Sequence, residues 1–292
     1  MELQQMRYVV AVAETSSFTR AARRCLVVQS ALSHQIARLE KELGARLFER
    51  SSRRVRLTPA GAAFLPVARQ CLDAADRAAA EVAAAVGEVR GRLTVGLIPS
   101  VAAVDLPAVL GEFHRRHPKA RVSLGVGASD DLVEQVRQGE TEVALIGIPV
   151  TSRPRGVMAR ELARERLVAV VAPGHPLAGQ GPVDLRRLTS EVFVDLPAKT
   201  AGRAQSDQAF AAAGLTREVA FEVTNADYLA RLVGAGLGVA LLAPSYVASL
   251  ATDLVTVEVT DAPSRAEYVI WCRERPHPAA AAFLALLGVT EE

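Results

Sequence analysis

The chain is poor in cysteine and contains no long apolar segment. Its 292 residues include three cysteines, Cys25, Cys71 and Cys272, which are too widely separated for a metal-binding or paired redox motif. Buried thiols are the expected state, and a redox-sensing cysteine is the alternative. No run of residues is apolar over the length that a membrane-spanning helix requires. The first residues lack the basic segment and apolar core of a secretory leader, so we expect a cytoplasmic protein without membrane contact.

Catalytic motifs are also missing from the sequence. There is no G-x-S-x-G nucleophile motif, no H-E-x-x-H zinc motif and no Walker phosphate-binding loop. His175 lies in a Pro-Gly-His-Pro turn and His277 precedes Pro278, surroundings that are typical of structural histidines. We therefore expect no metal, no catalytic residues and no cofactor other than a bound small molecule.

Positive charge is concentrated at the beginning of the chain. Residues 1–60 contain eleven Lys or Arg and five Asp or Glu, a net charge of +6, whereas the remaining residues contain 23 and 27, a net charge of −4. A basic segment on a mildly acidic chain indicates that this end binds a polyanion. The length allows two domains of about 150 residues each. A nucleic-acid-binding domain joined to a second domain is the predicted organisation.

The basic segment predicts three short helices. The first spans residues 3–13, and the second spans 18–25 with Ser17 as its N-cap. The third spans 29–43 and ends at Gly44, a common helix stop. It places small polar side chains opposite an aliphatic stripe formed by Leu32, Ile36, Leu39 and Leu43. Two short helices in close succession, the second polar on its outer face, predict a helix-turn-helix.

A basic turn follows these helices. Apolar residues at 47–48 and at 55 and 57 flank a polar turn, which predicts a small hairpin. Its arginines repel one another unless an anion offsets their charge: Arg50, Arg53, Arg54 and Arg56. Beside a helix-turn-helix, a wing that grips phosphates or the minor groove is favoured over a solvated basic loop.

A long helix is predicted next. Thr58 can cap it, and the next strong breaker is Gly87, apart from Pro66 near its beginning. Apolar residues recur in it with the alternating spacing of a heptad seam: Leu65, Ala68, Leu72, Ala75, Ala79 and Val82. A single helix cannot bury such a seam on itself. Pairing with a second subunit is therefore favoured over packing on the chain's own second domain.

The motifs FTRAARRC and VVQSALSHQIARLEKELGARLFERSSRRVRLTPAG closely resemble the winged helix-turn-helix of LysR-type transcriptional regulators. The resemblance implies that Gln29, Ser30, Ser33 and His34 face DNA, with Arg53 or Arg54 in the wing, and we include Arg38 and Arg50 among the DNA-binding candidates. Ser30 stands where many relatives have proline, and His34 stands where arginine is common. The family dimerises through the long helix, which implies a roughly two-fold symmetric operator.

From residue 92 onward, strands alternate with helices, which predicts α/β sheets. This part, with PGHPLAG and LVGAGLGVALLAP as landmarks, resembles the effector-binding domain of the same family, which is similar to a periplasmic binding protein. The expected fold is thus α/β overall: a winged helix-turn-helix over 1–58, a linker and dimerisation helix over 59–87, and a two-subdomain effector-binding domain over 91–292. Subdomain I would comprise 91–163 and 267–292, and subdomain II 164–266.

A small organic effector is expected in the cleft between these subdomains. Ligands of open α/β sheets bind at the carboxyl ends of strands. This rule selects Pro99, Ser100, Val101, Gly127, Ser129, Gly147 and Ile148 in subdomain I, and Lys199, Thr200, Arg203 and Asn225 in subdomain II. Helix N-termini together with the two basic residues favour an organic anion. For the serines, the threonine and the asparagine, simple helix capping is the alternative. Lys199 and Arg203 could instead be solvated charges.

Three functional hypotheses follow from these patterns. The leading one is a transcription factor, an activator or a repressor, whose binding to double-stranded DNA responds to the effector. It would act as a homodimer or homotetramer, with RNA polymerase as a further candidate partner. The second is a DNA-binding protein with an unliganded, vestigial cleft. The third, an enzyme that uses the α/β cleft, is the weakest because no catalytic motif supports it.

Overall fold

The computed structural model describes residues 1–50, 55–198, 200–250, 252–273 and 276–289. The chain divides into two compact units, Met1–Val86 and Gly87–Glu292. Within the described part of the chain, no helix is both long enough and apolar enough to span a bilayer.

The first unit consists of three helices, a two-stranded hairpin and a long fourth helix. In chain order these are α1 (Leu3–Thr15), α2 (Phe18–Arg24), α3 (Gln29–Leu43), β1 (Phe48–Arg50), β2 (Val55–Leu57) and α4 (Pro59–Ala85). The two strands are antiparallel, with Phe48 opposite Leu57 and Arg50 opposite Val55. The rings of Phe18 and Phe48 meet edge to face with centroids 5.8 Å apart, which joins the hairpin to the helical core.

Local sequence signals determine where these helices begin and end. The Ser17 hydroxyl accepts a hydrogen bond from the Arg20 amide at 3.3 Å, and the Thr58 hydroxyl accepts one from the Gly61 amide at 3.0 Å. Gly44 ends α3 with a φ of 69°, in the left-handed region that glycine tolerates. The aliphatic stripe is one residue shorter than predicted, because Leu43 is the last helical residue and is 40% exposed.

The second unit contains a five-stranded sheet. Its strands are β3 (Gly91–Leu97), β4 (Ala120–Val126), β5 (Val143–Pro149), β6 (Met158–Arg166) and β12 (Ser264–Trp271), in the order β4-β3-β5-β12-β6. The first three are mutually parallel, and β12 is antiparallel to both of its neighbours. Helices α5 (Leu106–Arg116), α6 (Ser129–Arg137) and α11 (Pro278–Leu286) belong to this half of the unit.

Both faces of the central strand β5 are covered. Along β5, Leu145 belongs to an apolar cluster that contains Phe113 of α5 and Phe283 of α11. The next residue, Ile146, belongs to the cluster on the opposite face, with Leu132 of α6. A strand buried on both faces is continuously apolar rather than alternating, which explains the sequence VALIGI at this position.

The other half of the second unit has smaller sheets. Strands β7 (Val168–Val171), β10 (Ala240–Leu242) and β11 (Val255–Val257) form a sheet in the order β10-β7-β11, and β8 (Val192–Asp195) pairs in parallel with β9 (Glu218–Glu222). The helices here are α7 (Leu185–Leu188), α8 (Ala201–Ala212), α9 (Ala226–Gly234) and α10 (Pro244–Ser249).

The chain passes between the two halves twice. The first passage lies between β6 and β7, and the second lies between β11 and β12. Because β6 pairs with β12 as far as Arg166 and Ser264, the larger sheet extends beyond the predicted limits at residues 163 and 267. The paired strands β6 and β12 therefore lie at the boundary between the two halves, where both passages begin or end.

Candidate functional site

Helix α3 presents a polar face to solvent in the first unit. The predicted DNA-binding residues of this helix all lie away from the core: Gln29, Ser30, His34 and Arg38 are exposed, and Ser33 is half-buried. The inner stripe of the same helix is fully buried. Small polar groups and one arginine on the outer face suit a close approach to a DNA major groove, which is about 12 Å wide.

The hairpin is fastened to α3 by one carboxylate. Glu40 Oε1 accepts hydrogen bonds from the backbone amides of Leu47 at 2.8 Å and Phe48 at 3.2 Å. This contact fixes the start of β1 relative to the polar outer face of α3. Arg56 on β2 is exposed. Arg53, Arg54 and the side chain of Arg50 lie outside the described residues, so their contact with DNA stays a prediction.

Helix α4 packs on α1 along part of the predicted seam. Ala68 is buried, with only 1% of its surface exposed, and the neighbouring Arg69 reaches Glu14 of α1 at 3.5 Å. Ala68 therefore has no free surface for a second subunit, which corrects the prediction for this position. The other predicted seam residues keep accessible surface: Leu65, Leu72 and Ala75 are half-buried, and Ala79 and Val82 are exposed.

A buried ion pair lies in the second unit at the end of β3. Arg265 and Glu267 of β12 are 7% and 5% exposed, and the guanidinium group of the first contacts the carboxylate of the second. Arg265 also donates to the hydroxyl of Ser100 at 2.9 Å and to its carbonyl at 2.8 Å. Glu267 Oε2 accepts hydrogen bonds from the amides of Ala102 and Ala103. The pair holds the loop after β3, which carries the predicted effector residues Pro99, Ser100 and Val101.

The ends of β5 and α6 are joined at the same place. The Ser129 hydroxyl donates to the Gly147 carbonyl at 2.9 Å and accepts from the Gly147 amide at 3.3 Å. A Cβ atom on Gly147 would lie 2.8 Å from Arg265 Nε, so only glycine allows the guanidinium group to approach β5 this closely. The structure therefore brings Ser100, Ser129 and Gly147, three residues that the strand-end rule selected, close to Arg265, and their contact with an effector stays a prediction.

The comparisons with known proteins agree with this architecture. A model described as "Bacterial regulatory helix-turn-helix protein, lysR family" matches residues 3–62, and one described as "LysR substrate binding domain" matches residues 87–289. The chain belongs to the LysR family of transcriptional regulators. It is 36% identical to the transcriptional dual regulator GltC of Bacillus subtilis over 259 residues, which cover 89% of this chain and 86% of GltC. It is also 36% identical to the HTH-type transcriptional regulator ShiR of Corynebacterium glutamicum, covering 82% of each chain.

A solved structure of a LysR-family regulator covers almost the whole chain. Full-length CbnR in complex with its target DNA has a TM-score of 0.73 and 28% sequence identity to this protein, covering 99% of both chains. The first unit of the present chain is thus the DNA-binding helix-turn-helix domain, and the second is the effector-binding domain in which LysR regulators bind small molecules. The enzyme hypothesis fails because the family consists of regulators.

Arg203, which was predicted to bind the effector, is paired with carboxylates in this LysR regulator. Its Nε donates to Asp207, four residues along α8, at 2.9 Å, and its Nη1 lies 3.6 Å from Glu222. These carboxylates neutralise the guanidinium group that was expected to bind an anionic effector. Arg217 completes the network by bonding Asp207 at 2.8 Å and the buried Asp195 at 2.6 Å. Burial raises the pKa of the Asp195 carboxyl, and the Arg217 charge opposes that shift.

The side chains of two further effector candidates cap helices. Thr200 Oγ1 accepts from the Arg203 amide at 3.4 Å at the start of α8, and Asn225 Oδ1 accepts from the Tyr228 amide at 2.8 Å at the start of α9. Asn225 borders an open pocket of about 660 Å³, to which Ser100, Ser129 and Gly147 do not contribute. Its other lining residues are Glu222, Val223, Thr224, Asp227, Tyr228 and Arg231. Capping, the alternative considered for both residues, thus accounts for their side chains. Lys199 lies outside the described residues.

Three polar residues at the junction of the halves were not among the predicted candidates. Gln205 of α8 is 5% exposed, donates to the Ser264 carbonyl at 2.6 Å, and leaves its Oε1 without a partner among the described residues. Arg265 and Glu267 were also missed. The sequence contains a signal for both residues. In β12, SRAEYVIW, they are two charges two positions apart, and hence on one face, in a strand that is otherwise mostly apolar. The remaining candidates are half-buried or buried residues of the larger half: Pro99, Val101, Gly127 and Ile148.

Proposed function

We propose that this LysR-family protein binds a roughly two-fold symmetric operator as a homodimer or homotetramer, with α3 of each subunit in a major groove. The observation that carries the proposal is the exposed, polar outer face of α3 beside the basic hairpin. Its likeness to CbnR, which was solved with its target DNA, supports this mode of binding. Operator binding would place the protein in the cytoplasm, where RNA polymerase is a further candidate partner.

The exposed part of α4 supports self-association. Val82 is 68% exposed, and Ala79, on the same seam, is also exposed. Small side chains along a long helix allow a second helix to approach closely. Ala68 is already buried within its own subunit, so the subunit contact that we propose involves the later part of the seam.

Salt dependence of DNA binding tests the proposed face of α3. Replacing Arg38 by alanine should weaken binding to operator and random duplexes alike and reduce the salt slope by about 1, because one phosphate contact is lost. Arg137→Ala, a change of an exposed arginine on α6 of the second unit, is the matched control and should leave the slope unchanged. A slope that is the same in Arg38→Ala and the unmodified protein would exclude Arg38 as a phosphate contact.

For the effector-binding domain, we infer a small organic anion that also donates a hydrogen bond. Arg265 Nε is a buried donor without a partner among the described residues, and Gln205 Oε1 is a buried acceptor in the same condition. Leaving such groups unpaired costs about 1–3 kcal/mol each. An effector with a carboxylate and a hydroxyl or amino group would satisfy both. Glu267 pairs with Arg265 through Nη2, but Arg265 Nε has no partner among the described residues, whereas Arg203 Nε is bonded to Asp207. The donor proposed here is therefore Arg265 Nε rather than Arg203.

Thermal shifts with a panel of carboxylic acids, with and without a hydroxyl group, test this proposal. A ligand at 100 times its Kd should stabilise the effector-binding domain by about 2.7 kcal/mol. Hydroxy acids should stabilise it more than the parent acids, and Gln205→Leu should remove the difference. A vestigial cleft, the second hypothesis, would give no shift with any compound.

We propose that closure of the two halves around the effector is what changes the affinity for operator DNA. Ser264 and Arg265 begin the strand that follows the second passage between the halves, so a ligand that pairs with Arg265 and Gln205 favours one relative placement of the halves. Thermodynamic linkage requires that operator DNA changes effector affinity by the same factor as the effector changes operator affinity. Equal effector affinities with and without operator would remove this coupling.

A further inference from the structure

The turn between α2 and α3 exposes two aliphatic side chains. Leu26 is 92% exposed and Val28 is 68% exposed, and the half-buried Val27 lies between them. Isolated exposed aliphatic residues are common on protein surfaces. Here, two of them fall within three residues, immediately before the helix proposed to enter the major groove. We call Leu26 and Val28 the apolar tip.

Val28 occupies the N-cap of α3, a position where valine is unfavourable. Serine, threonine, aspartate and asparagine dominate at N-caps because their side-chain oxygens accept a hydrogen bond from the first turn. Val28 has the extended conformation of an N-cap, with φ −73° and ψ 145°, but it makes no such bond. The stability of the helix therefore does not explain valine at this position.

The position of the apolar tip beside the proposed DNA-binding face indicates that DNA covers it. Gln29 and Ser30, the next residues, are exposed and carry the start of the proposed recognition face. The N–H groups at the start of α3 have no side-chain cap, and such groups favour a phosphate oxygen. When a phosphate binds there, Val28 is brought to the edge of the major groove. The one apolar group that base pairs display in that groove is the C5-methyl of thymine.

We propose that Val28 contacts a thymine methyl group in each operator half-site and thereby makes the protein prefer thymine at that position. Burial of one methyl group against an apolar side chain corresponds to about a fourfold change in affinity. The proposal rests on the placement of α3 in the major groove and adds one base preference to it.

The test uses full-length protein and a duplex selected from a random-sequence library. Each thymine of the selected duplex is replaced in turn by deoxyuridine, which removes the methyl group and preserves base pairing. We expect one position per half-site at which the substitution weakens binding about fourfold. Val28→Ser should abolish the loss at that position and keep the losses at other positions, because serine lacks the methyl groups and can still cap α3. Val67→Ser, at a valine of α4 that is 54% exposed, should behave like the unmodified protein.

Three outcomes would overturn the proposal. A deoxyuridine scan without any sensitive position would show that no methyl group is read. Equal sensitivity in Val28→Ser and the unmodified protein would assign the methyl contact to another residue. If no duplex is retained in a salt-sensitive manner, the placement of α3 in the groove fails together with this inference. The first two results leave the proposed function intact.

Discussion

The buried pair of Arg265 and Glu267 should dominate the stability of the effector-binding domain near its cleft. Glu267→Gln keeps the shape of the side chain but removes the charge that neutralises Arg265, which is 7% exposed. Breaking a buried ion pair by removing one partner costs about 3–5 kcal/mol. Because the introduced amide can still accept a hydrogen bond from the backbone N–H of Ala102 or Ala103, we expect the lower end, about 3 kcal/mol.

The single tryptophan provides a probe of this domain alone. Trp271 lies at the end of β12, the strand that carries both charged residues, and the first unit contains no tryptophan. Urea unfolding followed by tryptophan fluorescence therefore measures the free energy of unfolding of the effector-binding domain. The expected result is a lower midpoint with an unchanged slope, because the change alters stability without changing the exposed surface.

A double-mutant cycle separates the ion pair from general packing damage. The cycle compares Glu267→Gln and Arg265→Met with the variant that carries both changes. The double variant should recover much of the lost stability, because no unpaired charge remains buried. Glu161→Gln is the matched control, since Glu161 pairs with Arg164 on the same sheet at 2.9 Å but at the surface, and it should have a much smaller effect. A loss below about 1 kcal/mol in Glu267→Gln, or strict additivity of the two changes, would refute the reasoning.

Three further predictions follow from local geometry. Gly147→Ala should lower the free energy of unfolding, measured by tryptophan fluorescence, by about 1–3 kcal/mol, because the new Cβ would lie 2.8 Å from Arg265 Nε. Val28→Thr should raise the calorimetric stability of the DNA-binding domain by about 1 kcal/mol by adding a cap to α3; an unchanged transition would contradict this. Hydrogen bonds from Arg164 and Tyr268 lower the pKa of Glu161 to about 2 from 4.5, so its stabilising contribution is present above pH 4.5 and is lost as the pH falls towards 2. Glu161→Gln should flatten the pH dependence of stability in that range, as measured by unfolding titrations at several pH values.

Much of the DNA-binding domain follows from local sequence. Ser17 and Thr58 cap the helices that they were predicted to cap, and Gly44 ends α3. The apolar spacing of α3 predicted which face is buried, because side chains three and four residues apart share one side of a helix. The same reasoning failed for Ala68, since a heptad pattern reports that a face is buried and does not report which helix covers it.

The effector-binding domain shows where local reasoning stops. The strand-end rule selected Ser100, Ser129 and Gly147, and these lie close together in the structure because the carboxyl ends of neighbouring parallel strands meet at one edge of a sheet. It also selected Arg203, whose charge is neutralised by Asp207 on the next helical turn, a partner that only the side-chain geometry identifies.

The sequence by itself determined the family, the order of the domains, the helix caps and the polar face of α3, because each of these depends on residues close together in the chain. The tertiary structure decided which charges are buried and what they pair with. Arg265 reaches Ser100 across a separation of 165 residues, through the antiparallel pairing of β12 with β5. Neither residue's neighbours in sequence indicate the other, since burial and pairing of a charge are set by strands that come together only when the domain folds.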